Sequence, residues 1–357
     1  MKRIDVFLLA IVIILSIFGL FMIYDASSYV AFRDFGDKYH FVKDQFVWFA
    51  LGMLGLLFFA HFNYHKLYNL SLPILFVAIA LLVLVFVPGI GVKLLGARRW
   101  VNLGAFLMQP AEFVKLALAI YLSAWMSDKE KGRFLAFLLL LGLVLFLVIL
   151  QPDIGTAVVV LSEALVIYFL SGGNIFYFFF LVPIMAGLGY ILIKIAPYRA
   201  ERLSTFFNFN QSIESSSYHI RQVLIAFGSG GLTGVGLGNS LQKYAYLPES
   251  TTDSIFAIVA EEFGFIGASI LIVLFAILVW RGFYIAIHAK DNLGKLLAGG
   301  ITTFLAVQAI INLAAQTVLV PLTGIPLPFI SYGGSALIVD LCSIGILLNI
   351  SRQSIDK

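Results

Sequence analysis

Residues 6–24 read VFLLAIVIILSIFGLFMIY, nineteen positions without a charge. A helix of about 20 apolar residues crosses the hydrocarbon core of a bilayer, so this run decides the class of fold. It follows Met1-Lys2-Arg3, in the manner of a secretion signal. It is too long for a signal's apolar region, lacks a small-x-small cleavage site and is followed by further runs of the same kind. A retained first helix is therefore expected.

Working outward from this run, apolar windows predict helices near 6–24, 45–62, 70–88, 111–126, 134–150, 154–171, 174–194, 255–281, 296–319 and 331–350. Composition agrees: 61% of the chain is hydrophobic and 12% charged, whereas soluble domains carry roughly 25% charged residues. Mean hydropathy is +1.01. So few charges cannot cover a water-soluble surface of this size, and a bilayer removes the need. Within lipid the backbone must satisfy itself inside each segment, and the alternation of a β-barrel is missing. The expected fold is an all-α polytopic membrane protein of ten spans, with residues 1–357 forming one integral membrane domain. The lone Cys342 allows no intramolecular disulfide. The net charge of +4 comes from cations scattered at helix ends, with no basic stripe, which excludes a nucleic-acid partner and fits membrane lipid.

An even number of spans puts both termini on one side. Short loops on that side carry about eleven lysines and arginines against about six on the other, so both termini are expected in the cytoplasm. The long segment 195–254, between the seventh and eighth spans, is left out of that count because long loops translocate regardless of charge. Loops beyond about 12–15 residues usually have a functional reason. This one is the first functional suspect. Its centre, IRQVLIAFGSGGLTGVGL at 220–237, predicts a re-entrant or interfacial helix ending in a Gly-rich turn packed against protein. No internal repeat and no paired broken helices are legible.

Asp253 stands where LPESTTDS at 247–254 enters the apolar run IFAI at 255–258. A carboxylate there can cap the helix, or serve at the lipid–water boundary as a general base; both roles stay open. Glu112 and Lys115 lie three apart and share a helix face, as a packing ion pair or a functional one. Glu163, Glu261, Glu262 and Asp340 are further charges inside spans, where pairing and function are equally open. Arg98-Arg99-Trp100 offers a guanidinium fork for phosphate or a headgroup-level anchor. Asp153, in the turn Gln151-Pro152-Asp153, is placed to cap the helix beginning at Ile154. PLTGIPLPFISYGGS at 321–335 is rigid and charge-free, either a binding wall or a spacer. His219, beside Tyr218 and Arg221, reads as structural. No metal-ligand cluster, P-loop or serine-hydrolase elbow is present.

Four blocks then carry a resemblance. They are GARRWVNLG with QPAEFVKLALAIYL (96–104 and 109–122), QPDIGTA (151–157), GSGGLTGVGLGNSLQKYAYLPESTTDSIFAIVAEEFGFIG (228–267) and TGIPLPFISYGGSALI (323–338). In this order, with ten spans and a long seventh-to-eighth loop, the chain resembles the SEDS family (shape, elongation, division and sporulation), which includes FtsW, RodA and SpoVE. GLGNSLQKYAYLPE looks closer to the FtsW and SpoVE branch. The resemblance implies a peptidoglycan glycosyltransferase that polymerises lipid II into glycan strands outside the bacterial cytoplasmic membrane, in cell division or cell-shape control. Undecaprenyl diphosphate is the leaving group. Implied partners are lipid II, the growing strand, a class B penicillin-binding protein acting as transpeptidase, and other divisome or elongasome membrane proteins.

Residue by residue, the family's essential loop aspartate falls on Asp253 and its Glu-x-x-Lys pair on Glu112 and Lys115. Its RRW block falls on Arg98, Arg99 and Trp100, and its final loop on Pro328, Ser331, Gly333 and Gly334. The chain departs from the family at Thr251, where histidine is usual, at Ser254, where phenylalanine is usual, and at Ala245, where an acid is common. The implied chemistry asks for a base, Asp253, and for cations to meet a departing diphosphate, with Arg98, Arg99, Lys115 and Arg202 as candidates. A divalent cation, Mg or Mn, is left open as a sharer of that charge; no other cofactor is implied. Two rival readings remain. One is a flippase for lipid-linked precursors, coupled through midplane acids such as Glu163, Glu262 or Asp340. The other is a non-catalytic scaffold for the penicillin-binding protein.

Overall fold

The structure is a computed structural model describing residues 4–94, 97–102, 104, 106–128, 133–174, 176–177, 183, 187 and 215–353. In chain order these residues form α1 (Val6–Phe35), α2 (His40–His61), α3 (Lys66–Leu84), β1 (Gly91–Leu94), β2 (Ala97–Asn102), β3 (Leu107–Met108), α4 (Pro110–Ser127), α5 (Phe134–Leu150), α6 (Ile154–Leu170), α7 (Ser215–Gly230), α8 (Ile255–Ile287), α9 (Asn292–Gln316) and α10 (Gly334–Gln353). Among the described residues six helices, α1 to α3 and α8 to α10, are long and apolar enough to cross a membrane, and α5 and α6 are shorter apolar helices. The predicted seventh span, 174–194, falls almost wholly outside the described residues.

α1 starts where Asp5 accepts a hydrogen bond from the Leu8 amide (3.0 Å) and ends at Gly36, whose φ of 70° closes the last turn. The apolar run stops near residue 24, but the helix continues to Phe35. At 1.5 Å per residue it is about 45 Å long, longer than the hydrocarbon core, so its last turns stand beyond the membrane.

The core is built on small residues and on a buried central helix. α2 and α10 pack so closely that a Cβ on Gly345 would lie 2.5 Å from the Leu56 carbonyl oxygen, the small-residue contact common between helices in lipid. α4 is buried along nearly its whole length, from Pro110 to Ala124, against α3, α6 and α9. A helix that faces protein on all sides can carry Glu112 and Lys115 without showing a charge to lipid.

Two findings differ from the sequence reading. The expected all-α fold includes one small antiparallel sheet, β1-β2-β3, with Lys93 opposite Arg98. A sheet edge is acceptable there because the hairpin lies between helix ends, where water can meet unpaired backbone groups. The second concerns α8, expected as one uninterrupted span. It is broken at Gly264 (φ 68°, ψ −167°).

The Gly-rich turn after α7 fills that break. Val235 and Gly236 amides donate to the Glu261 and Glu262 carbonyls (3.0 and 3.1 Å), while Phe265 and Ile266 amides donate to the Gly231 and Leu232 carbonyls (2.9 and 3.1 Å). Backbone groups freed by the break are thereby satisfied, as a bilayer requires. Only glycine permits it: a Cβ on Gly234 would lie 2.0 Å from the Glu262 carbonyl oxygen, and Gly234 has φ 82°. The expected re-entrant helix with a Gly-rich turn is thus α7 and the turn that follows it.

Candidate functional site

One end of the bundle gathers the end of α1, the sheet, the 151–153 turn, the start of α8 and the 317–333 loop between α9 and α10. The 151–153 turn is built from local sequence: Asp153 caps α6 by accepting from the Thr156 amide (3.0 Å) and receives Gln109 Nε2 (3.3 Å). Arg99 donates from Nε to the Gln151 carbonyl (3.1 Å) and from Nη2 to the Pro152 carbonyl, so its fork tethers this turn. Arg98, next to it, is exposed on β2.

Asp253 is half-buried just ahead of α8. The N-cap is Ser254, whose hydroxyl is hydrogen-bonded to His219 Nε2 of α7 (2.7 Å) rather than to the helix, so the capping role considered for Asp253 is corrected. Backbone on all sides of Asp253 is clamped. The Thr251 carbonyl accepts from the Tyr332 amide (2.9 Å), the Thr252 carbonyl from Ser331 Oγ (2.5 Å), and the Asp253 carbonyl from Asn312 Nδ2 (2.9 Å). Its carboxylate Oδ1 lies 2.8 Å from Thr252 Oγ1, a hydroxyl also 2.9 Å from Glu249 Oε2. Gly324 presents only backbone toward Oδ2; a Cβ there would be 3.6 Å away.

The final loop serves as the clamp's frame. Ser331, buried, accepts from the Leu327 amide (2.8 Å) while donating to Thr252, and Gln45 of α2 accepts from the Gly333 amide (3.1 Å). A Cβ on Gly334 would strike the Trp48 ring at about 2.5 Å. Ser331, Gly333 and Gly334 thus hold the loop in shape. Burial, with the charge of Asp44, raises the Tyr332 phenol above its ordinary pKa.

Behind the loop, inside the bundle, Lys115 Nζ is 2.7 Å from Glu112 Oε2, both side chains about 2% exposed. Lys115 also donates to Gln308 Oε1 and lies over the Phe304 ring, 5.6 Å from its centroid. Gln308 Nε2 donates to the Pro326 carbonyl (3.1 Å). Glu163 and Asp340 are fully buried within electrostatic reach of Lys115.

Sequence reading missed the partners of Glu261 and Glu262. Lys243 donates to Asp25 Oδ1 and Oδ2 of α1 (2.8 and 3.0 Å) and to Glu262 Oε1 (3.0 Å); Glu262 also accepts from the Ser240 amide (3.2 Å), and Glu261 from the Leu241 amide (3.3 Å). Burial works against the Lys243 ammonium, but its bonds to Asp25 and Glu262 outweigh that and hold its pKa above the ordinary lysine value. These acids belong to the scaffold of the loop that leads to Asp253. Arg202 lies outside the described residues. Among the described residues no three His, Cys, Asp or Glu side chains come together to hold a metal ion.

The chain is 42% identical to the stage V sporulation protein E of Bacillus subtilis, over 98% of this chain and 97% of that protein. It is 40% identical to the "Probable peptidoglycan glycosyltransferase FtsW" of Trichlorobacter lovleyi, over 97% and 93%. Its fold is similar to that of the rod shape determining protein RodA of Thermus thermophilus, with TM-score 0.73 and 27% identity over 99% of both chains. A chain from a peptidoglycan synthase complex, described for the coordination of polymerisation and crosslinking, gives TM-score 0.81 and 26% identity, again over 99% of both. The FtsW/RodA/SpoVE family model, described as cell cycle protein, matches residues 5–356, and the chain belongs to this family of multi-pass membrane proteins.

Proposed function

We propose that Asp253 is the general base with which this peptidoglycan glycosyltransferase polymerises lipid II. The 4-hydroxyl of one sugar attacks C1 of another, its proton passes to the Asp253 carboxylate, and the C1–oxygen bond to the polyprenyl diphosphate breaks. A positioned carboxylate base contributes on the order of 10²–10⁴-fold. The observation that carries the reading is the clamp: hydrogen bonds from Asn312, Ser331 and Tyr332 fix three successive carbonyls at Asp253. That is the rigidity a base needs for a fixed reach. Arg98, exposed on β2, and Arg202 are the proposed partners of the leaving diphosphate.

The chemistry further suggests a class B penicillin-binding protein as crosslinking partner, both termini in the cytoplasm and the Asp253 end outside a bacterial inner membrane. Among the described residues the buried acids Glu163 and Asp340 and the broken α8 are features that favour a precursor flippase. The α8 acids Glu261 and Glu262 are, however, bound into the Ser240–Lys243 loop.

The test is polymerisation of purified lipid II by the reconstituted protein with its partner. Asp253→Asn is expected to insert and fold normally and to make no glycan; normal polymerisation by this variant would refute the base assignment. Movement of labelled lipid II across liposomes without polymer would favour the flippase, and an effect of partner-face changes alone the scaffold.

A further inference from the structure

α9 carries Gln308, Asn312 and Gln316 at successive i, i+4 positions, so three amides share one buried face. Buried amides in a membrane helix are costly unless each hydrogen has a partner. Asn312 spends both hydrogens of its Nδ2 on carbonyls from different segments, Asp253 O at 2.9 Å and Ile325 O at 2.8 Å. One side chain thereby joins the peptide of the candidate base to the final loop. One turn away, Gln308 bonds that loop at the Pro326 carbonyl (3.1 Å) and accepts from Lys115, whose ammonium is paired with Glu112. Ile325 and Pro326 are adjacent, so the two amides grip consecutive carbonyls of one strand of loop.

We propose that Asn312 and Gln308 are positioning residues for the reaction at Asp253, and that Lys115 acts on it through Gln308 rather than by touching the diphosphate. Lys115 is only 1% exposed, beneath the loop. Its ammonium holds the Gln308 amide in the orientation that leaves Nε2 for Pro326. Asn312 then carries that fixed loop over to the Asp253 peptide. The chain Glu112, Lys115, Gln308, loop, Asn312, Asp253 runs from the middle of the bundle to the site through one ion pair, the side-chain hydrogen bonds of Gln308 and Asn312, and the Ile325–Pro326 peptide. The proposal rests on the reading of Asp253 as base, since it explains how that carboxylate keeps its place.

The experiment is lipid II polymerisation by the full-length protein with its partner, measured for kcat and KM, with thermal unfolding in detergent alongside. A misplacement of about 1 Å costs on the order of 100-fold in rate. Asn312→Ala and Asn312→Asp are therefore expected to lower kcat by roughly 10- to 100-fold while KM moves by less than about 3-fold. The Asp variant, which replaces donors with acceptors, should be no better than the Ala variant. Gln308→Met should do likewise. Glu112→Gln with Lys115→Met, which removes the charge pair together, should lose no further rate when Gln308→Met is added.

Wild-type kcat in a folded Asn312→Ala protein overturns the proposal. So does a multiplicative loss on combining the charge-pair change with Gln308→Met, which marks the two as independent, or a rise confined to KM in the charge-pair variant, which marks direct contact of Lys115 with substrate. If Asn312→Ala does not fold, Gln308→Met carries the test; if neither folds, the amides are core struts and the positioning role is wrong. Asp253→Asn, assayed in parallel, separates the two failures: activity in that variant removes the base reading itself, whereas its inactivity beside an active Asn312→Ala removes only this inference.

Discussion

Asp153 and Gly234 show how much a single residue decides here. Asp153 accepts from the Thr156 amide at 3.0 Å and sits in a turn that Arg99 holds from outside. Asp153→Ala should cost about 0.5–2 kcal/mol, the value of an N-cap, read as a lower unfolding temperature in detergent. A change within 0.5 kcal/mol would mean that Arg99 alone holds the turn. Gly234 has no room for a methyl group, with the Glu262 carbonyl oxygen 2.0 Å from where a Cβ would stand. Gly234→Ala is expected to open the seam between the Gly-rich turn and α8 and to cost about 1–3 kcal/mol from backbone strain alone; an alanine protein as stable as the parent would show that the seam is not tight. Asp153 was legible in sequence because capping is a local, three-residue relation. The tether role of Arg99 was not, because its partners lie 52 and 53 positions away.

At the scale of the element, α8 is the informative one. Its first half delivers Asp253 at one end and ends at Glu261-Glu262 just before the break. The pair Lys243 and Glu262, side chains 6% and 0% exposed, ties the incoming loop to that half-helix, with Asp25 completing the link to α1. Removing one member of a buried ion pair costs about 3–5 kcal/mol because the other charge is left alone. Lys243→Met should therefore destabilise by that amount. Lys243→Met combined with Glu262→Gln should recover the part due to Glu262, Asp25 still lacking its partner, as a double-mutant cycle in thermal unfolding would record; simple additivity of the two changes would show that no pairing energy exists between them. Apolar windowing read 255–281 as one span because it averages over composition, and one glycine barely alters an average. The break depends on a φ of 68° that only the opposing loop stabilises.

For the whole molecule, the two ends of the bundle are chemically different. The Asp253 end carries the sheet and the clamped loops. The opposite end carries short connections, among them the one where Asp291 caps α9 and takes the Tyr64 hydroxyl (3.1 Å). With Cys342→Ser removing the native thiol, a cysteine placed at Phe106 is expected to react with an impermeant thiol reagent added outside intact cells. One placed at Asp128 should react only after permeabilisation. The reverse pattern would put the glycan-forming end in the cytoplasm and end the polymerase reading of Asp253.

What the sequence determined by itself follows from local and compositional physics. Lipid demands long apolar helices with internally satisfied backbones, so the spans, the re-entrant segment and the Asp153 cap are written in consecutive residues. The blocks around Asp253, Glu112 and Lys115 also mark the family by themselves. The tertiary structure alone decided which side chains meet. The Asn312 bridge between residues 253 and 325, the route from Lys115 through Gln308 to Pro326, and the Asp25–Lys243 link all join distant positions. Hydrogen bonds depend on angstroms and angles that only packing sets, and no periodicity in the chain encodes a partner on another segment, whether tens or hundreds of residues away.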